Sequence, residues 1–126
     1  MITDSIVAVV DDESPVRTML GRELRLAGYR VTPFAAGEDL LASLQVQPLA
    51  CVVLDVHMPG LMGLEVHARL RAARCDVPVV FITASDDAEL DTATRNLAAR
   101  LLRKPFSSDD LVRAVGVAIA DHQAGA

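Results

Sequence analysis

Short apolar runs alternate along the chain with longer segments in which apolar residues recur every three or four positions. Five runs are bounded by turn-forming or acidic residues and are predicted to be β-strands: residues 6–10, 30–34, 50–54, 79–83 and 101–102. The segments between and after them have helical spacing and are predicted to be helices: residues 14–28, 37–44, 62–74, 87–96 and 108–120. The pattern therefore predicts strands and helices in strict alternation.

The first predicted helix has recognisable ends. Ser14 is a residue type favoured at the N-cap, and Pro15 suits the first helical position, where a backbone N–H would be unpaired anyway. Gly28 follows the helical spacing and is a residue type favoured just beyond a helix. We therefore expect a helix that opens at Ser14 and Pro15 and closes at Gly28.

Strict alternation predicts an α/β fold in which helices cover both faces of a five-stranded parallel sheet. Residues 7–10 and 51–54 are apolar at consecutive positions, as is typical of strands buried on both faces. Pro33 cannot donate a ladder hydrogen bond, so the second strand is expected at a sheet edge. The flavodoxin-like order 2-1-3-4-5, a three-layer sandwich, puts it there. We expect one domain over residues 1–126, with a frayed tail from about residue 121.

Composition limits the functional classes open to this domain. Hydrophobic residues make up 52% of the 126 positions but aromatic residues only 3%, so Val, Leu, Ile and Ala must build the core. A net charge of -5 argues against tight non-specific binding of nucleic acid or an anionic membrane by this domain. The start lacks a secretory signal and a membrane span, which indicates the cytoplasm. Cys51, inside an apolar run, is expected to be a buried free thiol.

Polar residues of complementary chemistry follow four of the predicted strands. Asp11 and Asp12 come after the first strand, and Asp55 after the third. Thr83 ends the fourth strand, and Lys104 follows the fifth. The carboxyl ends of parallel strands meet at one edge of the sheet, where ligands bind near the point at which strand order switches. We therefore expect one cleft with three carboxylates, a hydroxyl and an ammonium group.

Three crowded carboxylates repel one another unless a cation joins them. All-oxygen ligands favour Mg²⁺, with Mn²⁺ as an alternative, and Mg²⁺ usually keeps several waters beside a few protein ligands. Asp12 and Asp55 are the expected direct ligands, and Asp11 is expected to bind directly or through water. The sequence therefore predicts a magnesium site in this cleft.

A carboxylate can also act as a nucleophile and form an aspartyl phosphate. Asp55 stands alone at its strand end and is the candidate for that role, whereas the Asp pair suits metal binding. Phosphoryl transfer depends mainly on positioning and on neutralising the equatorial oxygens, which the metal, Lys104 and the Thr83 hydroxyl would each contact. Pro105 restricts the backbone beside Lys104 and raises the chance of a cis bond there well above that for other residues.

Together these residues lie in segments that resemble the receiver domain of two-component response regulators. The segments are Val9-Val10-Asp11-Asp12-Glu13, Asp55-Val56-His57-Met58-Pro59-Gly60, Gly63, Ile82-Thr83-Ala84 and Lys104-Pro105-Phe106. The resemblance covers nearly the whole chain. The Asp-Glu-Ser-Pro-Val and Lys-Pro-Phe stretches are particularly similar to regulators of the nitrogen-fixation type, whose receivers usually precede a helix-turn-helix output domain.

The resemblance implies that Asp55 accepts phosphate from a sensor histidine kinase and that the backbone carbonyl of His57 completes the metal site. It also implies that phosphorylation changes the face formed by residues 87–96, 101–104 and 108–120, which is the family's usual dimer or partner surface. We expect a phosphorylation-dependent homodimer through this face. The output would come from an effector domain C-terminal to the receiver in a longer chain.

The chain departs from the family pattern at several positions. Receivers usually have Tyr or Phe three residues before the Lys, but this chain has Leu101, so a switch would act through aliphatic packing. In receivers the positions of His57 and Ser85 border the phosphoryl group, so these two residues are expected to set its lifetime. Ala84 and Pro105 are further expected switch or tuning residues. Before the last strand, where the family usually has Gly-Ala, Asn96 is expected to end the helix in a left-handed conformation.

Two other functions stay open at this stage. One is a phosphate-independent interaction module that has kept the acidic site, which Leu101 makes conceivable. The other is an aspartate-nucleophile phosphatase, which would need a general-acid Asp two residues after the nucleophile, where this chain has His57. A P-loop enzyme is excluded, because the chain has no Gly-rich Lys-Ser/Thr motif.

Overall fold

The computed structural model describes residues 5–44, 48–97 and 99–124. Strands and helices alternate over this part of the chain. In order they are β1 (Ile6–Val10), α1 (Ser14–Leu26), β2 (Arg30–Phe34), α2 (Gly37–Ala42), β3 (Cys51–Asp55), α3 (Gly63–Ala72), β4 (Val79–Thr83), α4 (Ala88–Asn96), β5 (Arg100–Arg103) and α5 (Ser108–Ala124). The five strands form a parallel sheet of order β2-β1-β3-β4-β5, which confirms the predicted fold class and strand order.

Helices cover both faces of the sheet, so the central strands are buried on both sides. In β1, Ala8 and Val10 pack into a cluster on one face, whereas Val7 and Val9 pack into a cluster on the other. Buried residues of α2, α3 and α4 complete the first cluster: Leu40, Val66, Leu70 and Leu90. Buried residues of α1 and α5 complete the second: Leu20, Leu24, Leu111, Val115 and Ala118. Each fully buried Leu side chain contributes about 1.5–3 kcal/mol, which makes these two layers the main source of stability.

The second strand lies at the sheet edge, as Pro33 predicts. Cys51 is buried and is a free thiol in the described part of the chain, and burial raises its pKa to about 12. Such a thiol stays protonated at neutral pH and packs as a small apolar group. Within the described ranges, none of the helices has the length and apolar character that crossing a bilayer requires.

The start of α1 differs from the prediction. The structure places Glu13 at the N-cap and Ser14 at the first helical position, so the assignment of Ser14 to the N-cap is wrong. Glu13 has an extended backbone, with φ -90° and ψ 114°, and its carbonyl accepts the first helical bond from Arg17 N at 2.9 Å. The helix ends at Leu26, and Gly28 follows with a positive φ of 102°.

The end of α4 also differs from the prediction. Asn96 is the last residue of the helix, and Leu97 follows with φ -90°, so the left-handed conformation expected at Asn96 is wrong. The Thr94 carbonyl accepts hydrogen bonds from the amides of Leu97 and Ala99 at the end of the helix. A positive φ of 61° occurs instead at Arg74, after α3.

The last helix is longer than the pattern predicts. α5 continues from residue 120 to Ala124 and so includes the first part of the expected tail, while residues 125–126 lie outside the described residues. Arg100 at the start of β5 donates to Asp121 Oδ2 at 2.6 Å, and this contact joins the end of α5 to the sheet. Residues 121–124 are all exposed, and an exposed helical turn gives no signal in hydrophobic spacing, so periodicity underestimates the length of the helix.

Candidate functional site

The three aspartates predicted to bind metal lie together at the carboxyl ends of β1 and β3. Asp11, Asp12 and Asp55 each offer a carboxylate oxygen, and these oxygens all lie within 4.8 Å of one another. Asp11 is fully buried and Asp55 is 6% exposed, whereas Asp12 faces solvent. The cleft is therefore open at Asp12 and closed behind Asp11.

Only one carboxylate oxygen of Asp11 is paired within the described chain. Its Oδ1 accepts a hydrogen bond from Glu13 N at 2.9 Å, but none of the described residues hydrogen-bonds to the buried Oδ2. Lys104 Nζ lies 3.9 Å from that oxygen, a distance that gives attraction without a hydrogen bond. The pKa of Asp11 is raised to about 6, mainly by burial and also by the charge of Asp55, while the hydrogen bond from Glu13 N and the charge of Lys104 oppose the shift.

Asp55 is held at its strand end by backbone contacts. Its Oδ1 accepts a hydrogen bond from His57 N at 3.1 Å. Burial raises the pKa of this carboxyl, and Asp12 raises it too, while the His57 amide and Lys104 oppose the shift. The backbone of α3 comes very close to this point, since a Cβ added to Gly63 would lie 2.5 Å from the Asp55 carbonyl oxygen. The loop between Asp55 and Gly63 is therefore tightly folded.

The donor set fits a hard divalent cation. Three carboxylates converge, two have a raised pKa, and in the described residues Asp11 Oδ2 is a buried oxygen that lacks a donor. A cation among these oxygens would supply the missing counter-charge, and oxygen ligands of this type suit Mg²⁺ or Mn²⁺. Asp11, Asp12 and Asp55 are the side chains that would hold it.

Thr83 and Lys104 lie on the next two strand ends, as predicted. Thr83 is buried, and its hydroxyl oxygen accepts a hydrogen bond from Ser85 N at 3.0 Å. Lys104 N donates to the Thr83 carbonyl at 2.8 Å, which locks the ends of β4 and β5 together. The bond between Lys104 and Pro105 is cis, a form that is more frequent before proline than before other residues.

The residues expected to affect switching surround this cleft. His57 and Ala84 are exposed, and Ser85 Oγ accepts a hydrogen bond from Asp87 N at 3.1 Å. Leu101 is half-buried and packs against the cluster that contains Phe81, its partner residue in β4. Its aliphatic side chain thus lies in the position where an aromatic residue is usual. The roles assigned to these four residues stay predictions.

Sequence reasoning missed two arginines beside the site. Arg17 Nη1 in α1 donates to the Asp11 carbonyl at 2.7 Å and fixes the turn that carries the Asp pair. Arg103, next to Lys104, contacts the loop between β4 and α4. Both look like ordinary surface charges in a linear pattern. Their positions in the sequence could have identified them, because Arg17 lies one turn into the helix that follows the acidic run and Arg103 lies at a strand end.

Comparison with known proteins agrees with this geometry. Residues 7–116 match the model of the response regulator receiver domain. The chain is 35% identical over 120 residues to the transcriptional regulatory protein FixJ of Bradyrhizobium diazoefficiens, covering 94% of this chain and 58% of that protein. It is also 35% identical over 119 residues to the DNA-binding transcriptional regulator NtrC of Salmonella typhimurium, covering 94% and 25%.

Among solved structures, the chemotaxis protein CheY4 of Vibrio cholerae superposes with a TM-score of 0.81 at 27% identity, covering 91% of this chain and 98% of that one. The chain spans about half the length of the curated relatives it matches first, 50% and 58% of their residues. The family model covers most of the chain and includes all four strand ends of the site. The chain therefore belongs to the receiver-domain family of two-component response regulators.

Proposed function

We propose that this receiver accepts a phosphoryl group on Asp55 from a sensor histidine kinase and thereby switches an output. The observation that supports the proposal best is the convergence of Asp11, Asp12 and Asp55 at strand ends, with Lys104 3.9 Å from the buried Asp11 oxygen. Receiver domains generally bind Mg²⁺ at an acidic site, and we propose that this aspartate cluster would provide that site here. We propose residues 1–126 as one phosphoacceptor unit.

The transfer would be a single displacement at phosphorus. A carboxylate oxygen of Asp55 forms the new O–P bond while the N–P bond of the kinase phosphohistidine breaks. The histidine nitrogen leaves with the electron pair of that bond. In hydrolysis, water attacks the same phosphorus, and the products are inorganic phosphate and the Asp55 carboxylate. The protein would thus act on its own phosphoryl group and would not be a general enzyme.

The surrounding side chains suit the charge that such a transfer creates. When bound, Mg²⁺ neutralises negative charge shared between the carboxylates and the phosphoryl oxygens. Lys104 is fixed on Thr83 through its own amide and would offer its ammonium to a second phosphoryl oxygen. The Thr83 hydroxyl now accepts from Ser85 N and would donate its proton to a third. His57, through its backbone carbonyl, would complete the metal site.

Acetyl phosphate gives a direct test of the reaction. With Mg²⁺ and acetyl phosphate, intact mass spectrometry should detect one added phosphoryl group that is lost slowly, and Asp55→Asn should remove it. Lys104→Met should slow labelling by about 10²-fold, the usual cost of removing one charge-stabilising donor. Arg113→Met on the exposed side of α5 is the matched control and should label normally. Absence of label in the wild type would indicate a phosphate-independent module, and rapid turnover would indicate a phosphatase.

The face formed by α4, β5 and α5 is the proposed output surface. We propose that phosphorylation makes two copies associate through this face and that, in a longer chain, an effector domain reads the change. Two of the relatives are named as transcriptional regulators, so transcription is the proposed output. Sedimentation with and without Mg²⁺ and beryllofluoride, a phosphoryl mimic, should show a dimer only with the mimic. An identical mass in both conditions at high protein concentration would contradict this prediction.

A further inference from the structure

Arg103 uses every nitrogen of its guanidinium, two on the loop between β4 and α4 and one on α4 itself. Its Nε donates to the Ser85 carbonyl at 2.8 Å, and its Nη2 donates to the Asp87 carbonyl at 2.9 Å. Its Nη1 donates to Asp91 Oδ1 in α4 at 2.7 Å. The planar fork of an Arg side chain is suited to three fixed acceptors of this kind, which Lys cannot contact at once. The end of β5 is therefore tied to residues 84–87, here called the switch loop, and to α4.

This set of contacts differs from the other Arg–Asp pairs of the molecule. The pair between Arg100 and Asp121 is 44% and 68% exposed, and exposed pairs of this kind contribute little to stability. Arg103 is 31% exposed, and two of its three hydrogen bonds go to backbone carbonyls. Bonds from a charged donor to a backbone carbonyl fix the path of the main chain as well as the position of a side chain.

The switch loop held by Arg103 also carries a contact to the proposed phosphorylation site. Ser85 N donates to the Thr83 hydroxyl oxygen, while Ser85 O accepts from Arg103. Thr83 and Arg103 are register partners in β4 and β5, and Lys104 N donates to the Thr83 carbonyl. Movement of the Thr83 hydroxyl toward Asp55 would therefore strain or break the Ser85 contact unless the switch loop moves with it.

We propose that Arg103 is a positioning residue that holds the switch loop in the conformation in which the Thr83 hydroxyl is bonded to Ser85 N. This inference rests on the proposed phosphorylation of Asp55. Phosphorylation would shift the loop against the Arg103 contacts, and α4 would move with it through Asp91. Leu101 offers no polar group to the site, so Arg103 gives this receiver a polar connection between the phosphoryl group and α4.

Two measurements on the whole chain test the proposal. Amide hydrogen exchange of Ser85 and Asp87 in the unphosphorylated protein should become about tenfold faster in Arg103→Met, because loop opening costs less. Affinity for beryllofluoride with Mg²⁺ should rise about threefold to tenfold, because less of the binding free energy goes into shifting the loop. A mutation that merely weakened the fold would not increase affinity for the mimic.

Matched variants distinguish the effects of the individual Arg103 contacts. Arg100→Met removes an arginine from the same strand and should change neither measurement. Asp91→Asn keeps the two carbonyl contacts and should have a smaller effect, and Arg103→Lys should be intermediate. Unchanged loop exchange in Arg103→Met, or an unchanged or reduced affinity for the mimic, would overturn the proposal. If the wild type fails to bind the mimic, the proposed function is wrong, and the exchange measurement still decides whether Arg103 holds the loop.

Discussion

Asp11→Asn is expected to stabilise the metal-free protein by about 2 kcal/mol at pH 7.5. Burial raises the pKa of this carboxyl from 3.8 to about 6, a shift that corresponds to roughly 3 kcal/mol of preference for the neutral form. At pH 7.5 the wild-type group is charged, and one of its oxygens lacks a hydrogen-bond donor among the described residues. Asn has nearly the same shape without the charge. Part of the gain is lost because the amide is also a buried polar group.

The pH dependence of this effect has a defined sign. Between pH 3.8 and about 6 the folded protein binds more protons at Asp11 than the unfolded chain does. The contribution of the Asp11 carboxyl to the free energy of unfolding therefore falls as pH rises through this range, and it is constant at higher pH. The advantage of Asp11→Asn should accordingly be small near pH 4 and reach its full size above pH 6. His67 has the opposite effect, since burial lowers its pKa below 6.5, but it is present in both proteins and cancels in the difference.

Urea unfolding with EDTA, followed by circular dichroism at several pH values, measures this difference. Repeating it with Mg²⁺ gives the metal's contribution, because a ligand that binds the folded state stabilises it in proportion to the logarithm of its concentration. Wild type should gain stability with Mg²⁺, and Asp11→Asn should gain less. Lower stability of Asp11→Asn in EDTA at pH 7.5 would show that the buried charge is already compensated.

Gly63→Ala is expected to destabilise the fold by about 3 kcal/mol, at the upper end of overpacking effects. The added Cβ would lie 2.5 Å from the Asp55 carbonyl oxygen and 2.9 Å from Val56 Cα, which are main-chain atoms that cannot rotate away. Gly63 N also donates to the Val56 carbonyl at 2.9 Å, so α3 cannot retreat without losing that bond. The strain would fall on the strand end that carries Asp55, so Mg²⁺ binding should weaken as well.

Gly116→Ala is the matched control within α5. There an added Cβ would lie 3.7 Å from the Tyr29 hydroxyl, an ordinary contact distance. Ala in a helix interior is favoured over Gly by roughly 0.5–1 kcal/mol, so this variant should be slightly more stable than wild type. Denaturant unfolding of both variants tests the comparison. Equal stabilities for the two would contradict the close approach of α3 to β3.

The sequence predicted the sheet and the acidic site well because each depends on a strong local signal. Consecutive apolar residues mark the central strands, and Pro33 excludes β2 from the interior, which together select the strand order. Asp11, Asp55 and Thr83 come together because the ends of parallel strands must. No long-range information is needed for either conclusion.

Other features depend on contacts between segments distant in sequence, which patterns do not encode. Arg103 reaches Asp87 across 16 positions, and nothing in its neighbours distinguishes it from a solvated charge. The helix ends were mispredicted for a different, local reason. Asn96 stays within α4, and the amides of Leu97 and Ala99 bond to the Thr94 carbonyl just beyond it. At the start of α1, the Glu13 carbonyl accepts the bond from the Arg17 amide, so the helix begins one residue before the position that the side-chain preference of Ser14 predicts.

The proline of β2 also restricts how copies of this protein can aggregate. Arg30 N donates to the Ser5 carbonyl and Phe34 O accepts from Asp11 N, so these two residues turn their polar backbone groups toward β1. Successive residues of a strand point their backbone groups to opposite sides, which leaves Pro33 facing the open side of β2. An incoming strand would find no amide donor there, and a Pro on an open edge is a known protection against edge-to-edge sheet growth. Contacts between copies are thereby directed away from this edge and toward the helical faces.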